Sequence, residues 1–78
     1  MDDTDIMQRI TSLVDEEHQL ERPGRGLTDE DRARLGQIEI TLDQCWDLLR
    51  QRRARRDAGA DPADAIVRAE QTVEGYQQ

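Results

Sequence analysis

Two stretches of the chain repeat apolar residues at helical spacing, and a break that contains proline and glycine separates them. In the first stretch, apolar residues recur in steps of three and four residues, at Ile6, Ile10, Leu13 and Leu20, with Glu17 in the same row. In the second stretch, the same steps run through Leu35, Ile38, Leu42, Cys45 and Leu49. This spacing places the side chains on one stripe of an α-helix, so the pattern predicts two amphipathic helices.

Capping and helix-breaking residues set the limits of the first helix. Thr4 provides a hydroxyl for the N-cap, and the aspartates around it favour the positive end of the helix dipole. Pro23 cannot continue a helix, and two glycines follow it closely. We therefore predict a helix over about 4–22 and a turn over 23–27.

The second helix has equally clear end signals. Thr28 is its predicted N-cap, and Asp31 stands at the capping-box position three residues later. Gly59 is a natural stop for the helix. The second helix is therefore predicted over about 28–58.

Residues 59–78 carry few apolar side chains. We predict that they form a weakly ordered C-terminal tail, because such a segment cannot bury much apolar surface. Asp61 and Pro62 can cap one short helix in this tail, over about 62–70.

A connection as short as 23–27 makes neighbouring helices antiparallel. We predict an all-α fold, an antiparallel, coiled-coil-like two-helix hairpin in which Ile6 lies near Cys45. In this register the apolar side chains of Leu48, Leu49 and Trp46 extend past the first helix without cover. Because so small a hairpin buries little apolar surface, we predict a homodimer that forms a four-helix bundle. Its predicted core consists of Leu42, Cys45, Trp46, Leu48 and Leu49.

Five arginines within seven residues form the most prominent charged feature, at the end of the second helix: Arg50, Arg52, Arg53, Arg55 and Arg56. With Trp46, they are candidate residues for binding a protein partner or, as the alternative, nucleic-acid phosphates. They also have a structural interpretation, because they would lie at the negative end of the helix dipole and near the N-terminal aspartates. The net charge of −7 disfavours nucleic acid. We favour the structural interpretation, followed by binding to a protein.

Carboxylates and a histidine on the two facing helices are the ligand types of di-iron four-helix bundles: Asp15, Glu16, Glu17, His18, Glu39 and Asp43. Asp15 and His18 do not point inward together, so we predict no metal and no cofactor. Cys45 lies in the apolar row, far from the single histidine, and no base is placed to activate its thiol, although a redox role stays open. We expect no catalytic residues and no enzymatic activity.

The compartment follows from the cysteine content and the hydropathy of the chain. A single cysteine excludes an internal disulfide and fits a reducing environment. No apolar stretch approaches the length of a membrane span. We therefore expect a soluble cytoplasmic protein without membrane partners.

The block LDQCWDLLRQRRARR at 42–56 resembles a family of short actinobacterial proteins catalogued as a domain of unknown function. Asp5-Ile6, residues 16–18 and residues 73–76 are similar to the same family. The resemblance implies small size, helical character and a bacterial cytosolic setting, and it assigns no activity to any residue. The predicted function is that of a homodimeric protein-binding or scaffold module, with a nucleic-acid-associated factor as the alternative.

Overall fold

The structure is a computed structural model that describes residues 1–69 of the chain. It contains the helices α1 (Asp3–Leu20) and α2 (Asp29–Asp57), and a single 3₁₀ turn at Pro62–Asp64. The two helices pack against each other as a hairpin, and residues 1–69 form no strand. The predicted all-α hairpin is confirmed. Neither helix is long and apolar enough to span a bilayer.

The start of α1 differs from the prediction, because Asp2 and not Thr4 is its N-cap. The Asp5 amide donates to Asp2 Oδ1 over 2.9 Å, and the Asp2 amide donates to Asp5 Oδ2 over 3.2 Å. This reciprocal pair satisfies two backbone donors, whereas a cap at Thr4 would leave them unpaired. The helix ends at Leu20, two residues before the predicted limit, because Pro23 disfavours helical geometry at Arg22.

The connection and the start of α2 follow the local signals in the sequence. Gly24 and Gly26 have φ angles of 81° and 73°, which other residues rarely adopt. Thr28 and Asp31 form a capping box in which the Asp31 amide donates to Thr28 Oγ1 over 3.0 Å. Arg25 also contacts the Asp31 carboxylate at 2.8 Å. Hydrogen bonds from the Thr28 amide and from Arg25 lower the pKa of Asp31.

The core lies between the two helices and consists of buried side chains from both: Ile6, Ile10, Leu13, Ile38, Cys45 and Leu48. Leu48 is only 7% exposed, which corrects the expectation that it projects past the first helix. Asp3, at the start of α1, reaches Arg52, so α1 runs alongside α2 beyond Leu48. Ala65, from the chain after α2, packs against the same core.

After Gly59 the chain turns and runs back along α2. Only Pro62–Asp64 form a 3₁₀ turn, and Ala65 is already extended with ψ of 139°, so within the described residues the predicted helix over 62–70 is wrong. The reason is that glutamine side chains of α2 bind the backbone of this segment, which keeps it from pairing with itself. We call residues 62–69 the C-terminal segment. Residues 70–78, including the end of the predicted tail, lie outside the described part.

Candidate interaction surfaces of helix α2

The C-terminal half of α2 presents different flanks to different neighbours. Successive residues of an α-helix rotate by about 100°. Cys45 points into the core between the helices, and Gln44, one step before it, binds the C-terminal segment. Trp46, one step after Cys45, therefore lies on the opposite flank, away from the C-terminal segment.

Helix α1 likewise has two opposite flanks. Arg9 lies on the flank of the C-terminal segment, where it lines a cleft together with Val67. The helical rotation places Met7 and Val14 on the opposite flank, the one that carries Trp46. We call this flank the open face, and it consists of Met7, Val14, Leu42, Trp46 and Leu49.

The open face is apolar and only partly covered. Trp46 and Met7 are each 44% exposed, whereas Val14, Leu42 and Leu49 are half-buried against the core. Of the predicted dimer core, Leu42, Trp46 and Leu49 therefore lie on the open face. Cys45 and Leu48 do not, because both are buried inside the hairpin.

Charged residues flank Trp46 on the outer side of α2. Glu39, Asp43, Arg50 and Arg53 all lie within about 60° of Trp46 around the helix. Arg50 is 4.0 Å from Asp47, and among residues 1–69 the other three form no ion pair. Two cations and two anions are thus arranged along the edge of the open face.

The arginine cluster divides into two arginines that contact Asp3 and three that do not. Arg52 Nε donates to Asp3 Oδ1, and Arg52 Nη1 donates to the carbonyls of Met1 and Pro62 at 3.0 and 3.3 Å. Arg56 Nη1 lies 3.0 Å from the other carboxylate oxygen of Asp3. Hydrogen bonds from these two guanidinium groups lower the pKa of Asp3.

The remaining three arginines are Arg50, Arg53 and Arg55. Arg50 and Arg53 are exposed and Arg55 is half-buried. Within the described residues neither Arg53 nor Arg55 pairs with a carboxylate. The cluster is therefore not one continuous basic surface, since Arg52 and Arg56 are held by Asp3.

A row of polar side chains on α2 binds the C-terminal segment. Gln51 Nε2 donates to the Ile66 carbonyl, and the Ile66 amide donates back to Gln51 Oε1 at 3.3 Å. Gln44 Nε2 donates to the Arg68 carbonyl at 3.3 Å. Asp47, which is only 2% exposed, accepts from Gln51 Nε2 at 2.9 Å and lies 3.6 Å from Arg68 Nε.

The sequence interpretation missed this polar row. Gln44, Asp47 and Gln51 are spaced by three and four residues, which is the only signal that could have grouped them on one flank. Their partners are backbone groups of a distant segment, and backbone groups leave no pattern in a sequence.

Cys45 is buried beside a small cleft. Burial raises the pKa of its thiol, and the neighbouring Arg9 offsets part of that effect. The cleft has a volume of about 270 Å³, and Ile6, Leu48 and Val67 form part of its apolar lining. A thiol in this setting is a weak nucleophile, because little of it is ionised near neutral pH.

The carboxylates and the histidine on the facing helices form no metal site within residues 1–69. Arg34 Nη2 donates to Glu16 Oε1 at 2.7 Å. Hydrogen bonding between the two side chains lowers the pKa of the Glu16 carboxyl and raises that of the Arg34 guanidinium. His18 and Asp15 are exposed on the outside of α1. Within residues 1–69, no three histidine, cysteine, aspartate or glutamate side chains converge closely enough to bind a metal ion.

Comparison with known proteins agrees with the resemblance carried by the 42–56 block. A sequence model of a family described as "Protein of unknown function (DUF2630)" matches residues 2–78. The uncharacterized proteins Rv0898c of Mycobacterium tuberculosis and Mb0922c of Mycobacterium bovis are each 49% identical to the chain over 77 residues, covering 95% of this chain and 88% of each relative. No solved structure matches the chain. The chain therefore belongs to the DUF2630 family.

Proposed function

We propose that the protein is a small, non-enzymatic binding module that acts as a homodimer, with a second copy covering the open face. The observation that carries the proposal is the exposure of Trp46 and Met7, at 44% each, beside half-buried Leu42 and Leu49. Exposed apolar patches with a polar rim typically mark interaction sites. Tryptophan is also among the residues that contribute most to binding at protein interfaces. The single buried cysteine supports a reducing, cytoplasmic setting.

The charges beside the open face favour a second copy as its occupant. In a two-fold dimer with antiparallel α2 helices that cross at Trp46, residues equally far before and after Trp46 face each other. Arg53, seven residues after Trp46, then faces Glu39 of the second copy, seven residues before it. Arg50 similarly lies near Asp43 of the second copy. Opposite charges meet at both ends of the interface, and the two hairpins form an antiparallel four-helix bundle.

Charge reversal tests both the dimer and its arrangement. Glu39→Arg and Arg53→Glu should each raise the dimer dissociation constant about tenfold, because symmetry repeats every change. The double variant should restore dimerisation, since it exchanges the partners of the same pair. Sedimentation equilibrium at micromolar concentrations measures all three constants.

Arg55→Glu is the matched control, because it reverses a charge on the flank opposite Trp46. It should leave the dissociation constant unchanged. A monomeric wild-type protein at these concentrations would refute the proposal. A dimer whose dissociation constant is unchanged by both single reversals would refute the arrangement about Trp46.

Nucleic-acid binding, the alternative from the sequence, has less support. Asp3 engages Arg52 and Arg56, so at most three of the five arginines are available to phosphates. A protein that uses this cluster on nucleic acid should show affinity that falls steeply with salt. We expect no such binding at physiological salt, as measured by fluorescence anisotropy with labelled single- and double-stranded oligonucleotides.

A further inference from the structure

The contacts of the C-terminal segment are of an unusual kind for a chain folding back on a helix. Gln51 pairs with both the amide and the carbonyl of Ile66, and Gln44 pairs with the carbonyl of Arg68. Two glutamines therefore bind backbone groups that every extended peptide carries. A contact between charged side chains accompanies these bonds, because Asp47 lies 3.6 Å from Arg68 Nε.

The two largest apolar side chains of the segment contribute little to this contact. Ile66 is 67% exposed and Val67 is 61% exposed, although both are large and apolar. Detaching the segment would expose Asp47 and Gln51, which water can hydrate, and would uncover the core where Ala65 packs against it. Separating α1 from α2 would instead expose the apolar core. The segment is thus the part of the fold that detaches most readily while the hairpin stays intact.

We propose that Gln44, Asp47 and Gln51 form a peptide-recognition site, occupied here by the chain's own segment, whose external ligand is an extended, arginine-containing segment of a partner protein. Gln51 pairs with one backbone unit of the ligand, and Gln44 pairs with the carbonyl two residues later. The arginine at that later residue meets Asp47. This site is independent of the open face and of the homodimer.

Asp47 gives the site its preference for arginine. Its carboxylate is almost fully buried, and its other cation, Arg50, lies 4.0 Å away and is exposed, so a ligand that brings no cation would leave the buried charge poorly compensated. A guanidinium group offers several donors in a planar array that suits a carboxylate at the edge of a groove. A peptide with alanine in place of the arginine keeps the backbone contacts and loses this one.

The chain's own segment competes with any external peptide. The apparent affinity of the external peptide is therefore reduced by the small fraction of molecules in which the site is free. Arg68→Ala should enlarge this fraction, because it removes a charge-assisted contact and leaves the hairpin unchanged. We expect this variant to bind the external peptide about tenfold more tightly than the wild type.

The test is a titration of the full chain with a synthetic peptide of residues 62–69, acetylated and amidated at its ends. NMR chemical shifts of the side-chain amides of Gln44 and Gln51 report binding at the site itself. The same peptide with Arg68→Ala serves as the ligand control. In the chain, Gln51→Ala combined with Arg68→Ala should abolish binding, whereas Gln37→Ala combined with Arg68→Ala should preserve it, with helicity checked by circular dichroism.

Tighter binding by the Arg68→Ala chain, lost with the control peptide and with Gln51→Ala, would support the proposal. Equal affinity for the two peptides, or equal affinity of the wild-type and Arg68→Ala chains, would overturn it. A peptide that dissociates a wild-type dimer would also overturn it, because the occupant would then be the segment of a second copy.

Discussion

The two flanks of α2 differ in polarity and in how far the rest of the chain covers them. On one flank Gln44, Asp47 and Gln51 are polar, and the chain itself satisfies them through the C-terminal segment. On the other flank Leu42 and Trp46 are apolar, and no part of residues 1–69 covers Trp46 fully. Hydrogen bonds attach the C-terminal segment to the polar flank. The open face instead presents apolar surface. A second molecule on the open face would therefore bury apolar surface, whereas one on the polar flank would have to displace the C-terminal segment.

The largest expected effect separates the core from the open face. Leu48→Ala should destabilise the hairpin by about 2–5 kcal/mol, because Leu48 is buried between the helices. Trp46→Ala should leave the helices folded, because Trp46 is already 44% exposed, and should weaken dimerisation by about 2 kcal/mol or more. Urea denaturation followed by circular dichroism, together with sedimentation equilibrium, distinguishes the two losses. Equal losses of helix content in the two variants would show that Leu48 and Trp46 belong to a single monomer core.

A smaller effect is expected on the covered flank. Gln51→Ala removes one hydrogen-bond donor to Asp47 and the partners of both Ile66 backbone groups, so it should cost about 1–3 kcal/mol. Much of that loss should appear as faster amide hydrogen exchange at Ile66, with the core of the hairpin still protected. Gln37→Ala is the control, since its side chain is exposed on the same helix. Unchanged exchange at Ile66 would mean that hydrogen bonds do not hold the C-terminal segment.

The smallest effect concerns acid pH and the ends of the hairpin. Hydrogen bonds from arginines lower the pKa values of Asp3 and Glu16 in the folded state. The unfolded state therefore binds more protons, so the free energy of unfolding should decrease as the pH falls through about 4 and below. Asp3→Asn should flatten this dependence and Asp15→Asn, which removes an unpaired carboxylate within the described residues, should not. Thermal melts between about pH 6 and pH 2.5 measure this pH dependence of stability. Identical pH dependence in the wild type and in Asp3→Asn would contradict the role of Asp3.

Much of the architecture was accessible from the sequence because its signals are local. The apolar rows through Ile6, Ile10 and Ile38 identified buried positions correctly, since helical periodicity depends only on neighbouring residues. The Thr28–Asp31 capping box was found for the same reason. The first cap was misplaced because Asp2 and Thr4 both have suitable side chains, and local sequence alone does not choose between them.

The candidate surfaces were less accessible. Trp46 and the arginines were identified as candidates from residue type alone, but the sequence did not separate Arg52 and Arg56, bound to Asp3, from Arg50 and Arg53. That separation depends on where the N-terminus of α1 lies along α2. Apolar rows repeat every three to four residues, so they permit several registers that differ by one turn.

Local signals in the sequence specify two capped helices joined by a glycine-containing turn, with an apolar stripe on each helix. Tertiary packing alone buries Leu48, leaves Trp46 partly exposed, and brings a distant segment of the chain to Gln44 and Gln51. The physical reason is the range of the interactions. Helix formation and capping are fixed within a few residues, whereas the choice between the two flanks rests on backbone hydrogen bonds from a segment that carries no periodic pattern.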